Sequence, residues 1–292
     1  MNTMRNLFLL LACLLVPGTA LAQTVEQKQA TIRYLTSLQN ADGGFRPTAA
    51  VKQSSLRATS SALRALRYFG GSVPNTARCK DFVERCHDRS GGFADTPGGK
   101  ADVVLTAVGL MAMIELQLPT DRIKAPAIAY LTDHAKEFEQ VRMAAAGLEA
   151  LGERSSRNET WLKELAARQN PDGTFGKGPS LVRDTGSAVA CMLRLGGKCS
   201  PQQTRAILAA LDAGQNKDGG FGKATASDLE TSYRVVRTYV MLGAKPARAD
   251  DLRAFIARCR NADGGYGLTP GSPSAVTSTY FAAILLHWLN RP

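Results

Sequence analysis

The sequence predicts an all-α fold in which six helical hairpins close into a double-walled ring, with six inner helices and six outer helices. Two observations predict it. A glycine-containing motif recurs along the chain with a period of about 45 residues, and two helical segments fill each period. A period in the forties is typical of architectures in which each repeat buries its apolar face against its neighbours.

The motif is clearest at residues 215–222, which read Gln-Asn-Lys-Asp-Gly-Gly-Phe-Gly. Further copies begin at positions 39, 87, 169 and 260. The first glycines of the five copies lie at 43, 91, 173, 219 and 264, which gives steps of 48, 82, 46 and 45 residues. The step of 82 residues spans two periods, so one copy of the motif has been lost. We place the lost copy at residues 134–139.

The first 22 residues have the form of a signal peptide. Arg5 provides a basic start, residues 7–16 are apolar, and Ala20-Leu21-Ala22 matches a signal-peptidase site. The apolar run is too short to predict a membrane span, so we expect no stable membrane insertion. The sequence therefore predicts cleavage near Ala22, a toroid-forming domain over residues 23–292, and export to the periplasm or beyond.

Each period contains two helices of different character. The helix before each motif has apolar residues three and four positions apart with charges between them, which indicates one solvent-exposed face. The helix after each motif is drier, so we assign it to the inner wall. The predicted outer helices include residues 26–38, 125–133, 158–168, 201–213 and 249–259, and the inner helices are 56–69, 103–116, 141–151, 184–195, 229–242 and 275–289.

The repeated turn is interpreted as architecture. Its Asp can accept hydrogen bonds from the amides that follow, the glycines allow positive φ and close chain approach, and the aromatic residue can be buried. Because the motif occurs in most repeats, one active site cannot require every copy.

Composition and charge exclude some classes of function. The net charge is +11, but the basic residues are spread along the helices without a dense run, so we expect no nucleic-acid partner. Five cysteines follow residue 22, and this odd number argues against a full disulfide framework. A bridge between Cys191 and Cys199 is left open.

The Gln-Asn-x-Asp-Gly-Gly-Phe repeat resembles that of protein prenyltransferase β subunits and of squalene and oxidosqualene cyclases. The resemblance covers nearly all of residues 23–292 and implies their fold, an α/α toroid. In the transferases, an Asp, a Cys and a His hold zinc, which activates the acceptor thiol. Asp184 matches the Asp, but Gly186 stands in place of the Cys and Glu230 in place of the His. We therefore predict no metal and no other cofactor.

Other activities of this family lack their motifs here. The Asp-x-Asp-Asp acid of the cyclases is absent, and so is the Gly-Cys-Gly-Glu-Gln thioester motif of complement-like toroids. Prenyl diphosphates and the α subunit of the transferases are intracellular, so we expect no such partner for an exported chain. We expect an unknown ligand of the central cavity instead.

Polar residues near the starts of the inner helices are the candidate site, because equivalent positions of a repeat gather at one mouth of the ring. A carboxylate with a neighbouring tyrosine could act as acid or base, and the remaining residues could bind substrate. The alternative is that the acids cap helix N-termini and the arginines pair with them. The candidates are Asp184, Glu230 and Tyr233 for catalysis, and Arg57, Asp102 and Arg142 for substrate binding.

Three functions remain open at this point. The first is an exported protein that binds a ligand or partner in the cavity without zinc chemistry. The second is a divergent enzyme that uses inner-helix carboxylates on an isoprenoid or a glycan, because other α/α toroids cleave polysaccharides with Tyr, Arg and carboxylates. The third is a transferase that works without zinc. We favour them in this order, and we leave the ligand, residual catalysis and oligomeric state undecided.

Overall fold

The computed structural model describes residues 23–291 and confirms the all-α toroid. The predicted signal peptide, residues 1–22, lies outside the described residues. Six outer and six inner helices alternate along the described chain. The outer helices are α1 (Val25–Thr36), α3 (Thr76–Arg85), α5 (Asp121–His134), α7 (Asn158–Ala166), α9 (Pro201–Ala213) and α11 (Ala249–Arg258). The inner helices are α2 (Leu56–Phe69), α4 (Val103–Glu115), α6 (Phe138–Leu151), α8 (Leu181–Arg194), α10 (Leu229–Met241) and α12 (Val276–Leu289).

The inner helices form a closed ring. Each inner helix packs against the next, and α12 packs against α2. Hydrogen bonds also join the two ends of the ring, because Val276 N donates to Pro47 O at 2.9 Å and Thr31 Oγ1 donates to Gly264 O at 2.8 Å. A short hairpin of β1 (Gly222–Lys223) and β2 (Ala226–Ser227) and a 3₁₀ turn (Gly178–Ser180) lie in the loops that lead to the inner helices.

The repeated turn holds its own hairpin together and also contacts the next one, where Gln215 Nε2 donates to Arg248 O at 3.0 Å. Asp218 Oδ1 accepts hydrogen bonds from Gly220 N at 3.1 Å and from Ser227 Oγ at 2.7 Å. The following Phe221 is fully buried, and its amide donates to Ser232 Oγ on α10 at 3.1 Å. All of these contacts hold backbone and core together, as the architectural interpretation predicts.

One hairpin lacks this turn. Only three residues separate the end of α5 at His134 from the start of α6 at Phe138, at the position predicted for the lost motif. A capping arrangement replaces it, in which Gln140 Oε1 accepts hydrogen bonds from Lys136 N at 2.9 Å and Glu137 N at 3.0 Å. The helix pair therefore survives without the Asp-Gly-Gly sequence.

The described residues contain free cysteines and no membrane-spanning helix. Cys191 is buried and Cys199 is partly exposed, and both are free thiols, as are the other three cysteines in residues 23–291. Within that range, no helix is both long enough and apolar enough to cross a membrane.

Candidate functional site

A cavity of about 360 Å³ lies inside the ring and is lined by all six inner helices. On α2 and α10 the same positions face it, two, six and nine residues after the N-cap. The α2 residues are Arg57, Ser61 and Arg64, and the α10 residues are Glu230, Arg234 and Arg237, with Tyr233 beside them. The helical repeat thus builds one surface from equivalent positions of successive hairpins.

A network of charged side chains crosses the mouth of the cavity. Arg234 on α10 donates to Glu230 at 2.6 Å and reaches across α8 to Glu139 on α6 at 2.7 Å. It also donates to Ser187 Oγ at 3.2 Å, and Arg142 donates to Glu139 at 2.8 Å. Burial opposes ionisation of Glu139, but hydrogen bonds and positive charge from the two arginines outweigh it and lower its pKa to about 2. This network ties together helices that are not neighbours in the ring.

A second ion pair lies farther along the cavity wall. Arg194 Nε donates to Glu149 Oε2 at 2.8 Å, which joins α8 to α6. Only 5% of the Arg194 side chain is exposed, against 49% for Glu149. The buried guanidinium therefore depends on this one carboxylate for its neutralisation.

Two further arginines contact aromatic rings. Arg64 Nη1 donates to Tyr280 Oη at 2.9 Å, and its guanidinium carbon lies 4.1 Å from the centroid of that ring. Arg237 Nη2 donates to Tyr233 Oη at 3.1 Å, and its guanidinium lies 4.6 Å from the centroid of the Trp288 ring system. Within residues 23–291, neither arginine forms an ion pair with a carboxylate. Cation–π contacts and phenol hydrogen bonds thus replace ion pairs here.

Tyr233 lies in the positive field of these arginines. Burial alone would raise its pKa, but the charges of Arg237, Arg194 and Arg64 outweigh burial and lower the pKa to about 7. The neighbouring Tyr280 shifts in the opposite direction, because burial raises its pKa. The phenol of Tyr233 is therefore the group in the cavity best suited to exchange a proton near neutral pH.

Titration of tyrosinate absorbance tests this environment. We expect one tyrosine of the wild-type protein to ionise well below the usual tyrosine range, because the arginines stabilise its phenolate. Tyr233→Phe should remove that step. Tyr34→Phe should leave it intact, because burial raises the Tyr34 pKa and its hydroxyl lacks a hydrogen-bond partner in residues 23–291. A wild-type protein whose tyrosines all ionise in the normal alkaline range would contradict the predicted shift.

The structure brings four of the six candidate residues into the cavity lining, namely Arg57, Arg142, Glu230 and Tyr233. The expectation that all six gather at the mouth is wrong for Asp102 and Asp184. Asp102 is the N-cap of α4, where its Oδ1 accepts a hydrogen bond from Leu105 N at 2.7 Å. Asp184 lies against Gly176 in a separate pocket beside α7, because it lies on a different face of α8 from the cavity.

Sequence reasoning missed most of the charged lining. Arg64, Arg234 and Arg237 lie one and two turns beyond the helix starts, where the predicted site residues lie. The signal was present as the spacing of Arg57 to Arg64 and of Glu230 to Arg237, which places each pair on one face of its helix. The charged and aromatic lining residues that were also missed are Glu139, Glu149, Arg194, Tyr280 and Phe281.

The family's zinc site does not fit this chain. Gly186, in place of the metal-binding Cys, packs tightly on α10, where an added Cβ would come within 2.9 Å of Val235 Cα. Its carbonyl also accepts a hydrogen bond from Thr238 Oγ1 at 2.7 Å. Within the described chain, no three His, Cys, Asp or Glu side chains converge as a metal site would require. A cysteine at this position would force α8 and α10 apart.

Comparison with known proteins identifies the family. The model of the prenyltransferase alpha-alpha toroid domain matches residues 1–144 and 129–292, which together span the chain. The chain belongs to the prenyltransferase alpha-alpha toroid family. No curated protein sequence matches it.

Three of the solved structures that resemble the fold are a transferase, a cyclase and a glycosidase. Protein geranylgeranyltransferase-I from Candida albicans, complexed with GGPP, is 15% identical with a TM-score of 0.69, over 92% of each chain. An apo type II terpene cyclase from Scytonema is 12% identical with a TM-score of 0.62, over 91% of this chain and 98% of its own. A glycosidase is 16% identical with a TM-score of 0.57, over 90% of this chain and 96% of its own. At these identities the likeness shows the fold alone.

Proposed function

We propose that this toroid protein is exported and binds a small organic ligand in its central cavity, without the family's zinc chemistry. The observation that carries the proposal is the pair of cavity arginines, Arg64 and Arg237, that no carboxylate neutralises within residues 23–291. Such groups favour ligand binding, because a ligand can supply the hydrogen-bond acceptors that the protein withholds.

The dimensions and lining of the cavity support a small ligand. Its volume of about 360 Å³ lies at the lower end of the range of ligand pockets. Apolar side chains line one side, and polar groups converge on the other. This combination is typical of sites that bury an organic body and orient it with a few hydrogen bonds.

Export rests on residues 1–22, whose basic start, apolar stretch and small-residue cleavage site suit a signal peptide. An exported toroid would not meet intracellular prenyl diphosphates, which is a second reason to propose a different ligand.

A divergent enzyme is the second candidate, and the environment of Tyr233 favours it. A phenol that ionises near neutral pH beside Arg237 could remove a proton from a bound substrate. The Tyr and Arg pairing also suits acidic glycans, and one structural neighbour is a glycosidase. Here Tyr233 replaces Asp184 as the candidate base, because Asp184 does not line the cavity.

Two measurements on residues 23–292 test the proposal. Native mass spectrometry should show metal-free wild-type protein, whereas stoichiometric zinc that Asp184→Ala or Glu230→Ala removes would restore the transferase mechanism.

The neutral fluorescent probe N-phenyl-1-naphthylamine should bind the wild type. Ala146→Trp should abolish binding, because Ala146 lines the cavity and the indole would fill it. Equal binding by both proteins would refute a cavity ligand. Tyr233→Phe should leave binding of the neutral probe unchanged. If the protein is an enzyme, the same variant should abolish turnover of its substrate.

A further inference from the structure

The charges that line the cavity do not balance. Six arginines and three glutamates face it. The glutamates are engaged by Arg142, Arg194 and Arg234. Of the other three arginines, Arg57 lies at the mouth on the first turn of α2, and Arg64 and Arg237 lie farther inside. The inner part of the cavity therefore carries an excess of positive charge.

Arg64 and Arg237 lie at the same depth in the ring. Each is the ninth residue after the N-cap of its helix, so each lies about 10 Å along the helix axis from the mouth residue seven positions before it. Their tyrosine partners, Tyr280 and Tyr233, adjoin each other with ring centroids 5.9 Å apart. Two guanidinium groups and two phenols thus form one continuous polar cluster, which we name the inner basic cluster.

Arg237 has unused hydrogen-bonding capacity. Its Nε is buried and has no hydrogen-bond partner within residues 23–291. Burial opposes its charge, but Tyr233, Tyr280 and Glu149 raise its pKa, so the group remains a cation. A buried donor without an acceptor is costly, so a small shift of the guanidinium that lets an anion in the cavity accept this hydrogen bond would remove that cost.

An apolar strip runs along the opposite wall of the cavity, formed by aliphatic and thioether side chains of α4 and α6. The strip consists of Val104, Val108, Met111, Met143, Ala146 and Ala150, and the charged α6 residues Glu139, Arg142 and Glu149 flank it. Met111 also contacts Arg64, with 3.7 Å between Sδ and Nη1, so the apolar wall reaches the inner basic cluster. A ligand here would meet a hydrophobic surface on one side and cations on the other.

We propose that the ligand is an amphipathic organic acid, with one carboxylate or phosphate monoester, that enters with its anionic group first. The anionic group binds Arg64 and Arg237 in the inner basic cluster, and the apolar body lies along α4 and α6 towards the mouth. This inference rests on the proposed cavity binding and adds the charge, class and orientation of the ligand. The Arg234 network at the mouth carries its own carboxylates, so it attracts an anion less than the inner cluster does.

A matched pair of probes tests the inference. 8-Anilino-1-naphthalenesulfonate has the body of N-phenyl-1-naphthylamine with an added sulfonate, so the two differ in the anionic group alone. We expect the sulfonate to bind the wild type about 10- to 100-fold more tightly, because it accepts charge-assisted hydrogen bonds. Arg237→Met should remove most of that difference and leave the neutral probe unaffected. Arg64→Met is the second variant should Arg237→Met fold poorly, and Arg205→Met on exposed α9 is the control.

Each outcome separates the two proposals. Equal affinity of the two probes, or an equal loss for both in Arg237→Met, would overturn the anionic ligand and leave cavity binding intact. If neither probe bound, or if both bound Ala146→Trp as tightly as the wild type, cavity binding would be overturned as well. Competition by 1-naphthoate and by 1-naphthyl phosphate against the sulfonate identifies the preferred headgroup. Displacement by either supports the inference, and displacement by neither contradicts it.

Discussion

Gly219→Ala is expected to lower the free energy of unfolding by about 3 kcal/mol or more. Gly219 has a φ of +89°, which is unfavourable for alanine. An added Cβ would also lie 2.2 Å from Asp251 O on α11. That atom belongs to a helical backbone and cannot move away cheaply, so the turn or the outer helix must shift. Urea-induced unfolding followed by circular dichroism measures the loss.

Gly271→Ala is the matched control for this prediction. Gly271 also has a positive φ, +79°, but a Cβ there would meet no atom within 4 Å. Its replacement should cost about 1 kcal/mol, the conformational penalty alone. Equal losses for the two variants would show that the turn does not clamp neighbouring repeats. Gly43 should behave like Gly219, because its Cβ would lie 2.1 Å from Arg78 O on α3.

Glu149→Ala is expected to cost about 2 to 3 kcal/mol, because it leaves a buried guanidinium without its partner. Burial and the nearby Arg237 already lower the pKa of Arg194, and only Glu149 offsets them through a hydrogen bond. We set the expected cost below that of a fully buried pair, since Glu149 is half exposed. Chemical denaturation at neutral pH provides the measurement.

Two comparisons isolate the cause of that loss. Glu153→Ala breaks the surface ion pair with Lys124 and should cost less than about 1 kcal/mol, because both side chains are exposed. The double variant Glu149→Ala with Arg194→Met should recover much of the stability, since no buried charge remains. If Glu149→Ala were as mild as Glu153→Ala, Arg194 would not depend on Glu149.

The ring could be predicted from the sequence because its causes are local. The turn motif recurs, and each helix carries its own apolar pattern. The sequence therefore predicts the hairpin of α5 and α6 even though its turn motif is lost. The predicted starts of α6 and α8 are each three residues late, because these helices begin at Phe138 and Leu181.

The site was less predictable because its contacts join distant parts of the chain. Arg234 and Glu139 are 95 residues apart in sequence and lie on helices that are not neighbours in the ring. Asp102 caps a helix, which is the alternative that the sequence left open. The residues around it in sequence do not distinguish a helix cap from a substrate-binding residue. Asp184 was a candidate because it lies near the start of an inner helix, but it lies on a different face of α8 from the cavity, against Gly176.

Closure of the ring also constrains how this chain folds during synthesis. The first and last hairpins share a seam like the internal ones, since Val276 N bonds to Pro47 O much as Leu229 N bonds to Leu268 O. Until α12 has left the ribosome, α2 lacks one of its two inner neighbours, and the nascent protein is an open arc with apolar surface at both ends. The finished ring has no end repeat that needs a polar cap, unlike an open solenoid, but every intermediate before closure exposes the surfaces that promote aggregation.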